Sequence, residues 1–213
     1  ILDKRTKELS NLAYTNTDAI IAVSESLKQR LYFHFHKDCF VVHNLVAYEF
    51  EKRERKGVDS NVFQFVSTGT LEHRKGFDLL ITAFFKTQLW KKNVRLIIIG
   101  GGDEKERLQK MIESLGLSKK ILLVGRKTRA EIADILCASH AFVLASRSEN
   151  FSVAVLEALS VGLPVIATIC GGIKECIDEK NGLLVPVEDG TRIRRFPPEQ
   201  QRPQTLVFPV LGT

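Results

Sequence analysis

The 213 residues hold one methionine, one tryptophan, four cysteines and six prolines, and only Pro164 and Pro186 lie before residue 191. Each scarcity excludes something. Cys39, Cys137, Cys170 and Cys176 have neither the paired spacing of a zinc site nor the density of a disulfide framework. They read as thiols of a reducing compartment. No uninterrupted apolar run is long enough to span a bilayer; the best candidate, 151–170, is broken by Glu157 and Pro164, and no signal peptide is visible. Histidine is sparse, and the H-x-H of His34 and His36 has no acidic or cysteine partner at ligand spacing, so no metal is expected. Lys and Arg outnumber Asp and Glu by 31 to 25, but half of that surplus falls in 191–213, where four arginines face Glu199 alone. What remains is too thin to imply a nucleic-acid partner. The first residue is Ile1, which reads as a start inside a longer protein.

What the chain does have is alternation. Near-continuous β-branched runs at 62–67, 94–99, 121–124, 141–145, 164–168 and 182–185 alternate with helical patterns near 77–87, 103–115, 129–139, 152–161 and 173–178. Strands apolar on both sides, separated by amphipathic helices, predict a Rossmann-like parallel sheet covered by helices on both faces. Leu108, Met111, Ile112 and Leu115 mark the inward side of one helix, Gly116 its stop, and Thr128-Arg-Ala-Glu131 a capping box opening the next. Upstream, a helical 1–17, a strand at 18–24, a helix capped by Ser24 and a strand at 39–43 form a smaller unit. Residues 49–61, charged and poor in apolar side chains, read as a linker. Residues 191–213, with four prolines and no helical period, read as a disordered tail.

Ligands bind parallel sheets at the carboxyl ends of the strands, so the loops there carry the chemistry. After the first strand of the larger unit, Gly69 and Gly76 flank Lys75; two glycines let the backbone approach a ligand, and the ammonium suits a diphosphate. A solvated basic turn would look the same. Gly100-Gly101-Gly102 lacks G-x-G-x-x-G spacing and reads as a tight strand-to-helix turn. Between Glu149 and Lys174 the single charge is Glu157, in an otherwise apolar run. Desolvation there is costly, so that carboxylate is expected to have a partner.

The whole pattern, Glu149-x-Phe151-x4-Leu156-Glu157-Ala158-x-Ser160-x-Gly162-x-Pro164-Val165, resembles the signature of retaining glycosyltransferases of family 4. The resemblance covers about 18–190, because DAIIAVSESLK and the V-x-N-x-V of 42–46 are similar to the end of that family's N-terminal domain. It implies the C-terminal, donor-binding domain of a GT-B fold at 62–190, a remnant of the acceptor-side domain at 1–48, the linker at 49–61, and a non-family tail at 191–213. It further implies a nucleoside-diphosphate sugar as donor, no cofactor and no metal. The acceptor would be a glycan or lipid-linked glycan, and the location cytoplasmic, with peripheral contact at the inner face of the membrane.

The resemblance also assigns roles. Glu157 would hold the ribose hydroxyls in a bidentate contact, and Glu149, the catalytic residue, would orient the transferred sugar. Backbone amides of Phe151, Ser152 and Val153 would meet phosphate at the helix start, with Asn150 in the same loop. Gly69 and Lys75 would line the diphosphate. Thr70 stands where the family carries arginine, and Arg74 is the substitute. Gly125-Arg126-Lys127 resembles the loop that lines the base, and Gly171-Gly172-Ile173-Lys174-Glu175 a loop that follows. Asn150 and Ser152 depart from the commoner Glu-Gly-Phe-Gly. A two-carboxylate glycosidase is the rival chemistry, but its acid and base flank a cleft from separate elements. A sugar-nucleotide-binding module without turnover is the rival class, since the fragment alone is expected to be inactive.

Overall fold

In the computed structural model the described residues are 4–51, 53, 58 and 61–187, residues 4–7 and 51 by their backbone alone. The expected tail at 191–213 and most of the expected linker lie outside them.

The N-terminal unit contains α1 (Lys4–Thr15), β1 (Ile21–Ala22), α2 (Glu25–Phe35) and β2 (Phe40–Val41), the two strands parallel. Ser24 caps α2 as expected, its hydroxyl accepting the Leu27 N–H at 3.0 Å. His36 ends the helix in the left-handed region, which gives the H-x-H a local structural role. A short helix, α3 (Tyr48–Glu51), follows, and Phe50 is fully buried. Composition had suggested only linker there, because one aromatic anchor among charges leaves no periodic trace.

The larger unit is a six-stranded all-parallel sheet of β3 (Phe63–Thr68), β4 (Val94–Ile99), β5 (Ile121–Leu123), β6 (Ala141–Leu144), β7 (Val165–Thr168) and β8 (Gly182–Val185). Between them run α4 (Phe77–Lys86), α5 (Lys105–Ser114), α6 (Arg129–Cys137) and α7 (Val153–Ser160). Successive strand residues serve opposite cores: Phe65 and Val143 pack with α4 and α5, Val66 and Leu144 with α6 and α7. All residues of β6 and β7 are buried, whereas the edge strands β5 and β8 are not. Burial on both faces is why the central strands read as continuous apolar runs. The capping box at Thr128 and Glu131 forms as expected. The helix expected at 173–178 is instead a 3-10 turn, Gly171–Glu175, started by Gly171 at φ +53°.

The strand order is β5-β4-β3-β6-β7-β8. The chain winds outward from β3 to one edge, returns, and winds outward from β6 to the other. The carboxyl ends of β3 and β6 therefore flank the topological switch point, where connections leave in opposite directions and open a crevice. At the opposite end, buried Gln64 is satisfied by Ser139 and Arg95. Among the described residues, no helix is long and apolar enough to cross a membrane.

Candidate active site

The loops after β3 and β6 meet at that crevice. The β3 loop tightens into a 3-10 turn, His73–Lys75, closed by Gly76 in the left-handed region at φ +64°. A Cβ on Gly76 would stand 2.0 Å from the carbonyl oxygen of Ala145, so the two loops can approach only with glycine there. Gly76→Ala should cost more than about 2 kcal/mol, because the backbone penalty alone is about 1–3 kcal/mol. Urea denaturation measures it, and a loss under about 0.5 kcal/mol would show that the turn adapts.

Arg147 fastens the turn. Its backbone N–H donates to Arg74 O at 2.8 Å and its guanidinium to His73 O at 2.8 Å. The same guanidinium forms a two-point contact with Asp78, at 2.8 and 2.9 Å, in the first turn of α4. That contact holds the Asp78 carboxyl below the usual carboxylate range. Sequence reading passed over Arg147 and Asp78, although Arg147 stands two residues before Glu149.

The turn delivers Lys75 to Glu149. Nζ and Oε1 are 2.6 Å apart, and the Ser146 hydroxyl donates to the same oxygen at 2.8 Å. Glu149 is buried, and the lysine stem lies against Gly69. Thr168 at the end of β7 donates to Ser146 O at 2.5 Å, tying the next strand into the site. Beside it the Cys170 thiol is pushed up, chiefly by burial, with Glu149 and Lys75 among its charged neighbours. Ser146 and Thr168 were also missed, since a buried hydroxyl at a strand end has no sequence signature.

Glu149 leads through Asn150, Phe151 and Ser152 into α7. Ser152 occupies the N-cap position without a side-chain cap bond, while Phe151 and Ser152 are buried and Val153 is half-exposed. Glu157 sits in the second turn of α7. The expectation that it has a bonded partner is not met: among the described residues none meets its carboxylate. Burial instead pushes its pKa up to about 7, with the positive charge of Arg129 pulling the other way. A carboxylate with side-chain partners inside the fold is Glu149.

The other expected site residues spread around this centre. Arg74 is half-exposed and paired with Glu72 at 2.8 Å. The side chain of Arg126 lies across Gly101 at the end of β4, where a Cβ would fall 2.8 Å from its Nε. Asn150 contributes its carbonyl, which accepts the Gly172 N–H at 2.9 Å and the Ser24 hydroxyl at 3.1 Å. Among the described residues, no three His, Cys, Asp or Glu side chains gather as metal ligands.

A parallel sheet covered on both faces, with charged side chains at its switch point, is a Rossmann-like architecture, of which the donor-binding domain of GT-B glycosyltransferases is one kind. Residues 49–195 match the family described as "Glycosyl transferases group 1", and the chain belongs to that family. An uncharacterized glycosyltransferase of Methanocaldococcus jannaschii is 35% identical over 173 residues, 81% of this chain and 46% of that protein. The GPI3 subunit of the phosphatidylinositol N-acetylglucosaminyltransferase of Saccharomyces cerevisiae is 28% identical over 179 residues, 80% of this chain and 40% of that one. The chain thus spans less than half the length of either. In structure it is similar to HepE of Anabaena, solved in complex with UDP and glucose, with TM-score 0.79 and 22% identity. That match covers 90% of this chain and 56% of the other.

Proposed function

We propose that the protein transfers a sugar from a nucleoside-diphosphate sugar to an acceptor with retention of anomeric configuration and without a metal. The observation that carries this is the meeting of Lys75 and Glu149, from two loops, at the switch point of the sheet. An ammonium for a diphosphate and a carboxylate for sugar hydroxyls are adjacent there, just ahead of a helix start whose amides face phosphate. Lys75, Gly69 and the amides of Phe151–Val153 take the diphosphate, Glu157 the ribose, and Glu149 the transferred sugar. The base lies toward Gly100–Gly102 and Arg126. Arg74, whose Nε is paired with Glu72, is the further cation for a phosphate. The acceptor is a glycan or lipid-linked glycan, a reading that draws on the phosphatidylinositol named for the yeast relative's enzyme, and the location is cytoplasmic at the inner membrane face, as the family resemblance implies. Glutamate pairs also serve glycosidases, but here one of them is already committed to a lysine.

Glu157 gives the test. Ribose hydroxyls donate to an ionised carboxylate, and this one ionises only near pH 7. Nucleoside-diphosphate affinity should therefore fall as pH drops below about 7, by up to about tenfold per unit. Glu157→Gln should flatten that slope and weaken binding at pH 8 by about 1.5–3 kcal/mol, a ten- to hundredfold loss. Stability should move oppositely. A carboxyl whose folded pKa is raised to about 7 stabilises least once pH exceeds that value, because the folded state then holds a buried charge that the unfolded state exposes to water. Glu157→Gln should therefore melt higher than wild type at pH 8. Calorimetric titration with UDP, GDP and ADP reads the first effect. Equal affinity for the variant at every pH would remove Glu157 from the ribose.

A second reading, a sugar-nucleotide-binding module without turnover of its own, draws on the share of its relatives that the chain spans. It predicts binding without nucleotide release when acceptors are supplied.

A further inference from the structure

Glu175 has no part in the scheme above, yet its carboxylate is a junction between the two units. One oxygen accepts the Glu25 N–H at 2.9 Å and the other the Ser26 N–H at 3.0 Å. These are orphan donors at the start of α2, so the carboxylate caps a helix of the other unit from 150 residues away. His43 Nε2 lies 3.3 Å from the same carboxylate. The His43 ring is stacked on Phe151, with centroids 4.8 Å apart and an interplanar angle of 2°. Asn44 donates to Phe151 O at 3.4 Å and Ser24 to Asn150 O at 3.1 Å. From the other side, Gly172 donates to Asn150 O, and Gly171 lies so close that a Cβ would stand 1.8 Å from Glu149 O. The stretch 149–151 is thus gripped between the Gly171–Glu175 turn and the N-terminal unit.

We infer that Glu175 and His43 are positioning residues: together they clamp the 149–152 loop between the two units and so fix Glu149 toward the transferred sugar. Lys75, on the turn that Arg147 fastens, and Glu157, on α7, lie outside the clamped stretch, whereas of the diphosphate contacts only the Phe151–Val153 amides lie in it or beside it. The effect should therefore fall more heavily on the sugar half of the donor, whose contact is Glu149 itself, than on the nucleotide half, which keeps Lys75 and Glu157. The inference rests on the donor-site reading above. The physical logic is local. The contacts from both sides converge on Asn150 and Phe151, and Glu175 holds the two amides next to Ser24 and the His43 ring, so its loss loosens the N-terminal counterparts of the Asn150 carbonyl and the Phe151 ring.

Glu175→Ala tests it in two readouts. Hydrogen exchange should quicken at Glu25 and Ser26, which lose their acceptor, and also at Gly172 and Leu156, whose amides donate to Asn150 O and Ser152 O. In titrations, affinity for UDP-glucose should fall at least about threefold more than affinity for UDP, with GDP and ADP pairs run in parallel. His43→Ala removes the stack without touching the α2 cap, and should shift the same ligand ratio if Glu175→Ala does not fold. Faster exchange confined to Glu25 and Ser26 would reduce Glu175 to a helix cap and overturn the clamp. Equal loss for sugar nucleotide and nucleotide would overturn it as well. Glu149→Ala separates the two layers. If that variant also fails to discriminate the ligands while exchange at Gly172 and Leu156 quickens in Glu175→Ala, the clamp stands and the sugar role of Glu149 falls.

Discussion

Glu149→Ala should cut turnover in the full-length protein by about a hundredfold or more while leaving affinity for the free nucleoside diphosphate intact or raised. A contact that orients the transferred sugar is felt mainly in the transition state, and its loss appears in kcat. The rise follows from the ion pair. With Glu149 present, Lys75 is already bonded at 2.6 Å, and an incoming diphosphate must compete with a carboxylate for that ammonium. With alanine the ammonium is free. Titration of both proteins with nucleoside diphosphate and with intact sugar nucleotide, alongside steady-state rates, reads all three effects. A residue that only braces its loop would instead lower the melting temperature and weaken both ligands alike; equal losses would remove Glu149 from the sugar.

Lys75→Met should destabilise the protein by about 3–5 kcal/mol, because it strands a buried carboxylate whose remaining partner is the Ser146 hydroxyl. For a domain of this size that corresponds to a fall of roughly 10 °C in Tm. The cost belongs to the unpaired charge and not to the lysine, so Lys75→Met/Glu149→Gln should recover most of it. A coupling of at least about 2 kcal/mol is expected in the double-mutant cycle. If the double variant is as unstable as the single, the destabilisation comes from lost packing along the lysine stem beside Gly69. Nucleoside-diphosphate affinity should fall in both variants, since neither keeps the ammonium.

The sheet was legible from the residues alone. Central strands such as Ala141–Leu144 and Val165–Thr168 are buried on both faces, and that environment writes an unbroken apolar run into the chain. Caps at Ser24 and Thr128 were legible because their bonds close within three residues. Glu149, Glu157 and Lys75 stood out as charges in apolar or glycine-rich settings. How they combine is set by folding. Glu149 meets Lys75 across 74 residues, Arg147 meets Asp78 across 69, and Glu175 caps α2 across 150. Periodicity and spacing describe neighbours along the chain; none of them encodes which distant loop a switch point brings within hydrogen-bonding reach. The same limit explains Glu157. Its isolation among apolar residues correctly marked a costly carboxylate, but only the packing of α7 shows that the cost appears as a raised pKa and not as an ion pair. Local chemistry is written in order along the chain, whereas partners are assigned by the order of strands in the sheet, β5-β4-β3-β6-β7-β8, which sets Lys75 and Glu149 side by side.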